Sequence, residues 1–323
     1  MRPLFDPRPW GTTDLSPIYS QQFTERIGES WLTGDNCKVQ NGALAGKSLS
    51  ELATQYKREL VGDAPAEDSR FPLLAKFLFP HEKLSVQVHP DDDDARAIGQ
   101  PCGKTECWYV AHATPQAEIG LGLKPGVTRT EFQRAVDENR AEELLNWIKL
   151  SAGDMIYVAG GTVHTLGPGS VIVETQQQSD TTFRLYDYGR PRELHLEHGL
   201  RVIKEQPGSG KVRPQPFSKL GMNGNRALTL VSSSFFKVER FELSSSHEFN
   251  RTREKSSAQI LVAVNGSATL EAAGHDTVQF GKGDAVVVPA SIADFRVVPK
   301  TEIEFLKSYV PGEKLAAPQT YIG

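Results

Sequence analysis

Lys83-Leu84-Ser85-Val86-Gln87-Val88-His89 and Gly153-Asp154-Met155-Ile156-Tyr157-Val158-Ala159-Gly160-Gly161-Thr162-Val163-His164 decide the reading of this chain. The first stretch alternates, and a strand sends residues i and i+2 to one face. Ser85, Gln87 and His89 therefore share a side, with Leu84, Val86 and Val88 packed behind them. In the second stretch an apolar strand, Met155-Ile156-Tyr157-Val158, runs into a glycine-rich bend that returns His164 toward the mouth of the fold. A third alternating run, Lys104-Thr105-Glu106-Cys107-Trp108-Tyr109-Val110, puts Lys104, Glu106 and Trp108 on one face. Two imidazoles, a carboxylate and an amide oxygen on strand-like segments make a mixed nitrogen and oxygen donor set. Such a set suits a divalent metal, zinc (Zn2+) first. The expectation is one metal inside a β-barrel, held by Gln87, His89, Glu106 and His164.

Most of the remaining chain is also short alternating runs broken by Gly, Pro and Asp, the pattern of a mostly β sandwich or barrel. Gly283-Asp284-Ala285-Val286-Val287-Val288-Pro289-Ala290-Ser291-Ile292-Ala293-Asp294 aligns without gaps onto Gly153 to His164, so the chain reads as two related jelly rolls. Asp294 takes the place of His164 in the second copy, and no Gln-x-His pair precedes it. The C-terminal jelly roll is therefore expected to bind no metal and to serve structure. The polar, Pro/Gly-rich stretch from Glu205 to Pro216 reads as a linker, dividing the chain into residues 1–204, 205–216 and 217–323.

A few short helices interrupt the strands. Ser48-Leu49-Ser50-Glu51 has capping-box form, with Leu49, Leu52, Tyr56 and Leu60 following before Gly62 closes the segment. Thr128-Arg129-Thr130-Glu131 repeats the signature ahead of Phe132, Val136, Leu144, Leu145 and Ile148. Asp91 to Asp94 are expected to start and cap a short helix. Gly42-Ala43-Leu44-Ala45-Gly46-Lys47-Ser48 ends like a phosphate-binding loop, but its glycines are spaced too closely and no strand precedes it; a helix N-terminus is the better reading.

At 323 residues and a net charge of −4, the chain is long enough for two cores and carries no basic block of the kind that grips nucleic acid. No apolar run is long enough to span a bilayer and the N-terminus lacks an apolar targeting core, so no membrane partner and a cytoplasmic location are expected. The three cysteines argue against a disulfide framework. Cys107, opposite in face to Glu106, reads as core.

The blocks LSVQVHPDDDDA, GKTECWYV, GDMIYVAGGTVHTL and SDTTFRLYDYGR, with IGESW at Ile27 to Trp31 and FPLLAKFLFPHEKLSVQVHP, resemble the type I phosphomannose isomerases in their short bacterial form, which are cupins. The resemblance implies two cupin-type jelly-roll barrels and a metal on the residues matching Gln87, His89, Glu106 and His164. It also makes the arginine matching Arg184 the active-site residue. The implied reaction interconverts mannose 6-phosphate and fructose 6-phosphate, moving a proton between C2 and C1 through a cis-enediol. Arg184 and Lys104 would supply positive charge for it, and Ser85, Lys76 and Asp180 contacts to the sugar phosphate. The base stays open among Lys104, Asp180, Glu106 and metal-bound water. The residues also leave open a non-catalytic sugar-phosphate-binding cupin and a metal-dependent cupin oxygenase or decarboxylase. Two departures stand out: Ala159-Gly160 where the family usually has Pro-Ala, expected to loosen the loop carrying His164, and Gly11-Thr12 where it has a Gly-Gly pair.

Overall fold

The alternating runs become strands whose pairing builds two jelly rolls on one plan. The computed structural model describes residues 1–63, 70–213, 215–250 and 257–322. Among these, the N-terminal unit has an eight-stranded sheet in the order Leu4–Asp14, Gln22–Trp31, Leu73–Leu78, Ser170–Gln177, Glu106–Ala113, Met155–Val158, Gly210–Val212, Thr320–Tyr321. Facing it is a five-stranded sheet in the order Phe183–Tyr186, Val86–Val88, His164–Leu166, Glu118–Leu123, Leu145–Lys149. The C-terminal unit repeats the arrangement. Its six-stranded sheet runs Ser218–Lys219, Arg226–Ser232, Lys237–Leu243, Ile303–Tyr309, Gln259–Asn265, Ala285–Val288, and its four-stranded sheet runs His247–Asn250, Asp294–Pro299, Ser267–Glu271, Val278–Gly281. In each unit the two sheets remain separately hydrogen-bonded, so the two cupin-type jelly rolls expected from sequence are present as sandwiches that do not close into barrels.

The repeat read from Gly153 and Gly283 extends to backbone detail. Both glycines sit at positive φ, +91° and +88°, where a side chain is strained. Their N–H groups donate to Val110 O (2.8 Å) and Ala263 O (3.0 Å). In each copy the following aspartate caps the preceding turn, Asp154 accepting from the Ser151 N–H and Asp284 from the Gly281 N–H.

Apolar layers follow from the strand alternation. Trp108, Val110, Ile156, Val158, Leu166 and Ile172 fill the N-terminal sandwich, while Leu261, Phe280, Val286, Phe295, Val297 and Phe305 fill the C-terminal one. Residues of opposite parity on the two large sheets, including Cys107, Tyr157 and Val173 against Phe236, Ile260 and Leu306, form a third core between the units. Fully burying one such side chain is worth about 1.5–3 kcal/mol, so this layer holds the sandwiches back to back. The stretch expected as a linker is partly built into a sheet: Gly210–Val212 pairs with Met155–Val158 on one side and with Thr320–Tyr321 on the other. Pro214, within that stretch, lies outside the described residues.

Both capping boxes form, at Ser48/Glu51 and Thr128/Glu131, and Asp91 caps Asp92–Ala97. Two helices are shorter than their apolar spacing suggests. The first ends at Tyr56, because Lys57 turns to φ +46°, and a separate turn of helix covers Arg58–Val61. The second ends at Asp137 with Asn139 at φ +59°, and Leu145 and Ile148 belong to a strand. No described helix is long and apolar enough to cross a membrane.

Candidate metal centre

The strand Val86–Val88 lies between Phe183–Tyr186 and His164–Leu166, and its register sets Gln87 directly opposite both Arg184 and His164. Opposed residues of an antiparallel pair project to one face, so three expected site residues meet on adjacent strands. Val86 and Val88 pack behind them in a separate apolar cluster. Glu106 comes from the larger sheet across the sandwich, one residue from Cys107, whose side chain faces the other way.

Donor atoms of His89, Glu106 and His164 lie within 4.8 Å of one another, and all three residues are buried. His89 Nε2 is 3.7 Å from Glu106 Oε2, and His164 Nε2 is 3.5 Å from Glu106 Oε1. The second nitrogen of each ring fixes the tautomer. Nδ1 of His89 meets the Thr181 carbonyl at 2.9 Å, and Nδ1 of His164 meets the Thr162 carbonyl at 2.9 Å. A carbonyl only accepts, so each Nδ1 carries the proton and each Nε2 presents a lone pair. Burial, then the Lys104 charge among others, drives the His89 pKa well below its usual value. Burial lowers that of His164 to about 4, so both rings are neutral near pH 7.

Among the described residues, His89 Nε2 and Glu106 Oε2 are buried without a hydrogen-bond partner. An unpaired buried polar atom costs about 1–3 kcal/mol, so two converging on one point fit a divalent cation between them. Gln87 completes the set in a particular sense. Its Nε2 lies 3.2 Å from His164 Nε2, while its Oε1 accepts from the Ser85 hydroxyl at 3.2 Å. Turning the amide over presents Oε1 to the ligand cluster and lets Ser85 accept instead of donate.

The bend carrying His164 is pinned, contrary to the looseness expected from Ala159-Gly160. A Cβ at Gly160 would lie 2.6 Å from Asp91 Cα, and the Gly161 N–H donates to His89 O at 2.7 Å. Glycine is what lets this bend rest on the backbone beyond His89.

Lys104 is buried with its Nζ 3.8 Å from Glu106 Oε2. Lys76 is also buried, between Glu29 (3.1 Å) and Glu174 (3.5 Å). Arg184 is half-buried at the rim, where Nη1 donates to Glu193 O at 2.8 Å and Nε has no hydrogen-bond partner among the described residues. Asp180 is exposed and precedes the strand, which starts at Phe183; the expected inward alternation of Asp180, Thr182 and Arg184 therefore does not form. Its charge still acts on Arg8 and Lys76.

Sequence reasoning missed Glu174, Glu29 in this role, and Arg8. Burial raises the Glu174 carboxyl to about 7, against the pull of Lys76. Burial also opposes ionisation of Glu29, yet Lys76 and then Arg8 hold it at about 2, with Trp31 Nε1 donating to Oε2 at 2.7 Å. Glu174 stands out as a lone charge in the apolar run Ser170-Val171-Ile172-Val173-Glu174, a signal available in the sequence. A cleft of about 640 Å³ between Gln40–Leu60 and the C-terminal strands contains none of these residues; donor geometry, not cavity size, marks the site.

Two family models match the chain. The model for the phosphomannose isomerase type I catalytic domain covers residues 16–134, and that for the mannose-6-phosphate isomerase cupin domain covers residues 226–310. The mannose-6-phosphate isomerase ManA of Bacillus subtilis is 35% identical over 309 residues, spanning 92% of this chain and 94% of that protein. The mannose-6-phosphate isomerase of Streptococcus mutans is 34% identical over 305 residues, spanning 91% and 93%. The crystal structure of the mannose 6-phosphate isomerase from Bacillus subtilis superposes with a TM-score of 0.83 at 32% identity, covering 95% of this chain and 98% of that one. With its buried His-Glu-His cluster, this chain belongs to the type I phosphomannose isomerases, metal-dependent enzymes that interconvert mannose 6-phosphate and fructose 6-phosphate.

Proposed function

We propose that this chain is a cytoplasmic aldose–ketose isomerase acting on mannose 6-phosphate and fructose 6-phosphate, with Gln87, His89, Glu106 and His164 holding one divalent metal, zinc first. The observation that carries the reading is the pair of orphaned buried atoms, His89 Nε2 and Glu106 Oε2, aimed at one point beside a third donor. The metal would supply Lewis-acid polarisation of a sugar oxygen, which stabilises charge as the enediol forms. The remaining work falls to the side chains around it.

Lys104 provides a positive charge beside Glu106, which would stabilise the enediolate oxygen while the proton moves between C1 and C2. Arg184, opposite Gln87 at the rim, has an unpartnered Nε and the fork geometry to grip a phosphate or an enediolate oxygen. Lys76 donates to Glu29 and forms an ion pair without a hydrogen bond to Glu174, so its ammonium keeps N–H groups for a sugar hydroxyl. Ser85 sets the sense of the Gln87 amide and faces the same side, within reach of another hydroxyl. Asp180, exposed at the entrance, contacts the incoming substrate and not the reacting carbons. A coupled assay of mannose 6-phosphate conversion, with and without chelator, tests the proposal. Activity is expected to vanish on chelation and return on adding zinc. Failure of the metal-replete protein to turn over either sugar phosphate would defeat it.

A further inference from the structure

The C-terminal jelly roll repeats the strand register of the first closely enough to ask what stands where the metal site would be. Val110 and Ala263 are equivalent, since each donates its N–H to the aspartate of the repeated turn, Asp154 and Asp284 respectively. Counting along the paired strands, Gln259, opposite Val288, takes the place of Glu106, opposite Val158. Lys307, aligned with Leu261 and Glu239, takes the place of Glu174, aligned with Trp108 and Lys76. The buried pair Lys76–Glu174 is thus answered by Glu239–Lys307 with its charges exchanged.

These residues point into the sandwich, because Leu261, Phe241 and Phe305, which share their parity, belong to its interior core. Lys307 Nζ lies 2.9 Å from Glu239 and 5.2–5.4 Å from the rings of Phe241, Phe249 and Tyr309. Lys237 Nζ is 3.0 Å from the same carboxylate. Burial works against ionising Glu239, but the two ammonium groups keep its pKa below the ordinary value, so it stays charged. Among the described residues, two cations against one anion leave a positive surplus. Gln259 is 1% exposed, and among the described residues neither its Nε2 nor its Oε1 has a hydrogen-bond partner. Orphaned atoms of this kind mark the ligand position in the first jelly roll.

We infer that the interior of the C-terminal jelly roll is a second binding site, for a small oxyanion of the phosphate or carboxylate class. The anion takes a hydrogen bond from Gln259 Nε2 and the surplus charge of Lys307 and Lys237, between aromatic walls that exclude water. The exposed pair Asn250 and Asp294, which matches Gln87 and His164 in register, forms the rim. The inference does not depend on the reaction at the first site.

Equilibrium dialysis of the full-length, metal-loaded protein against inorganic phosphate tests it. The wild type is expected to bind an equivalent of phosphate that survives in His89→Ala and is lost in both Lys307→Met and Gln259→Leu. Phosphate should also raise the melting temperature of the wild type. Gln259→Leu, relieved of an unpaired amide, should melt higher without phosphate and gain nothing from it. This second variant keeps the test open if Lys307→Met fails to fold. Displacement of that equivalent by fructose 6-phosphate would assign a sugar phosphate as occupant, and displacement by malonate alone a carboxylate. Either supports an oxyanion site. No phosphate equivalent beyond the one lost in His89→Ala, or an equivalent that persists in both Lys307→Met and Gln259→Leu, would overturn it.

Discussion

Glu29→Gln tests whether the charged layer beneath the metal centre is held together as described. The Glu29 carboxylate is nearly buried and receives Lys76 Nζ at 3.1 Å, Arg8 Nε at 3.1 Å and the Trp31 indole at 2.7 Å. Its pKa falls from 4.5 to about 2. At about 1.4 kcal/mol per pH unit, that difference is about 3 kcal/mol of stability. Because the folded value lies below the unfolded one, the contribution is complete above about pH 4.5 and disappears as the pH falls toward 2. The variant should therefore be about 3 kcal/mol less stable than wild type at pH 7, with the deficit shrinking below pH 4.5. Urea unfolding of metal-stripped protein, followed by tryptophan fluorescence at pH 7, 5 and 3.5, measures both, and Trp31 is a local reporter. A deficit under about 1 kcal/mol at pH 7, or one unchanged down to pH 3.5, would refute the reasoning.

The other expectations concern the site directly. Metal analysis of protein purified without added metal should give near one equivalent, and His89→Ala or His164→Ala should lose most of it; full retention in both would remove the ligand assignment. Arg184→Lys should fold and bind metal yet lose about a hundredfold to a thousandfold in rate, the usual cost of one charge-assisted contact at a transition state. A raised KM with kcat spared would make Arg184 a phosphate anchor, a lowered kcat an enediolate stabiliser, and no change in either a structural residue. Gly160→Ala forces a Cβ to within 2.6 Å of Asp91 Cα, so it should cost about 1–3 kcal/mol and weaken metal binding in a dialysis titration; wild-type values of both would show that the bend is not packed as described.

What could be read from sequence was what local periodicity controls. Two-residue alternation is enough to put Gln87 with Ser85 and to turn Cys107 away from Glu106, and the structure has both arrangements. The paired turn at Gly153 and Gly283 was legible because a positive φ restricts the residue to glycine in each copy. Helix ends were harder. Apolar spacing continues past Tyr56 and Asp137, but single residues at positive φ, Lys57 and Asn139, stop the helices, and neither is the glycine that usually signals such a stop. Asp180 was misread because an alternating pattern does not say where a strand begins.

The charged layer under the metal was illegible for another reason. Lys76 meets Glu174 only because Leu73–Leu78 pairs with Ser170–Gln177, and Glu29 joins because Gln22–Trp31 flanks the first of these strands. Such a contact belongs to the register of strands distant in sequence, and no window along the chain contains it. The second jelly roll separates register from chemistry. The same pairing there sets Glu239 against Lys307, with the charges reversed. A buried, facing position on these central strands demands an opposite partner, since an isolated charge in the sandwich would go uncompensated, but it does not dictate which strand carries which sign. The sign is left to the ligand: an acidic face at Glu106 and Glu174 beside the proposed cation, and a basic one at Lys307 for the proposed anion.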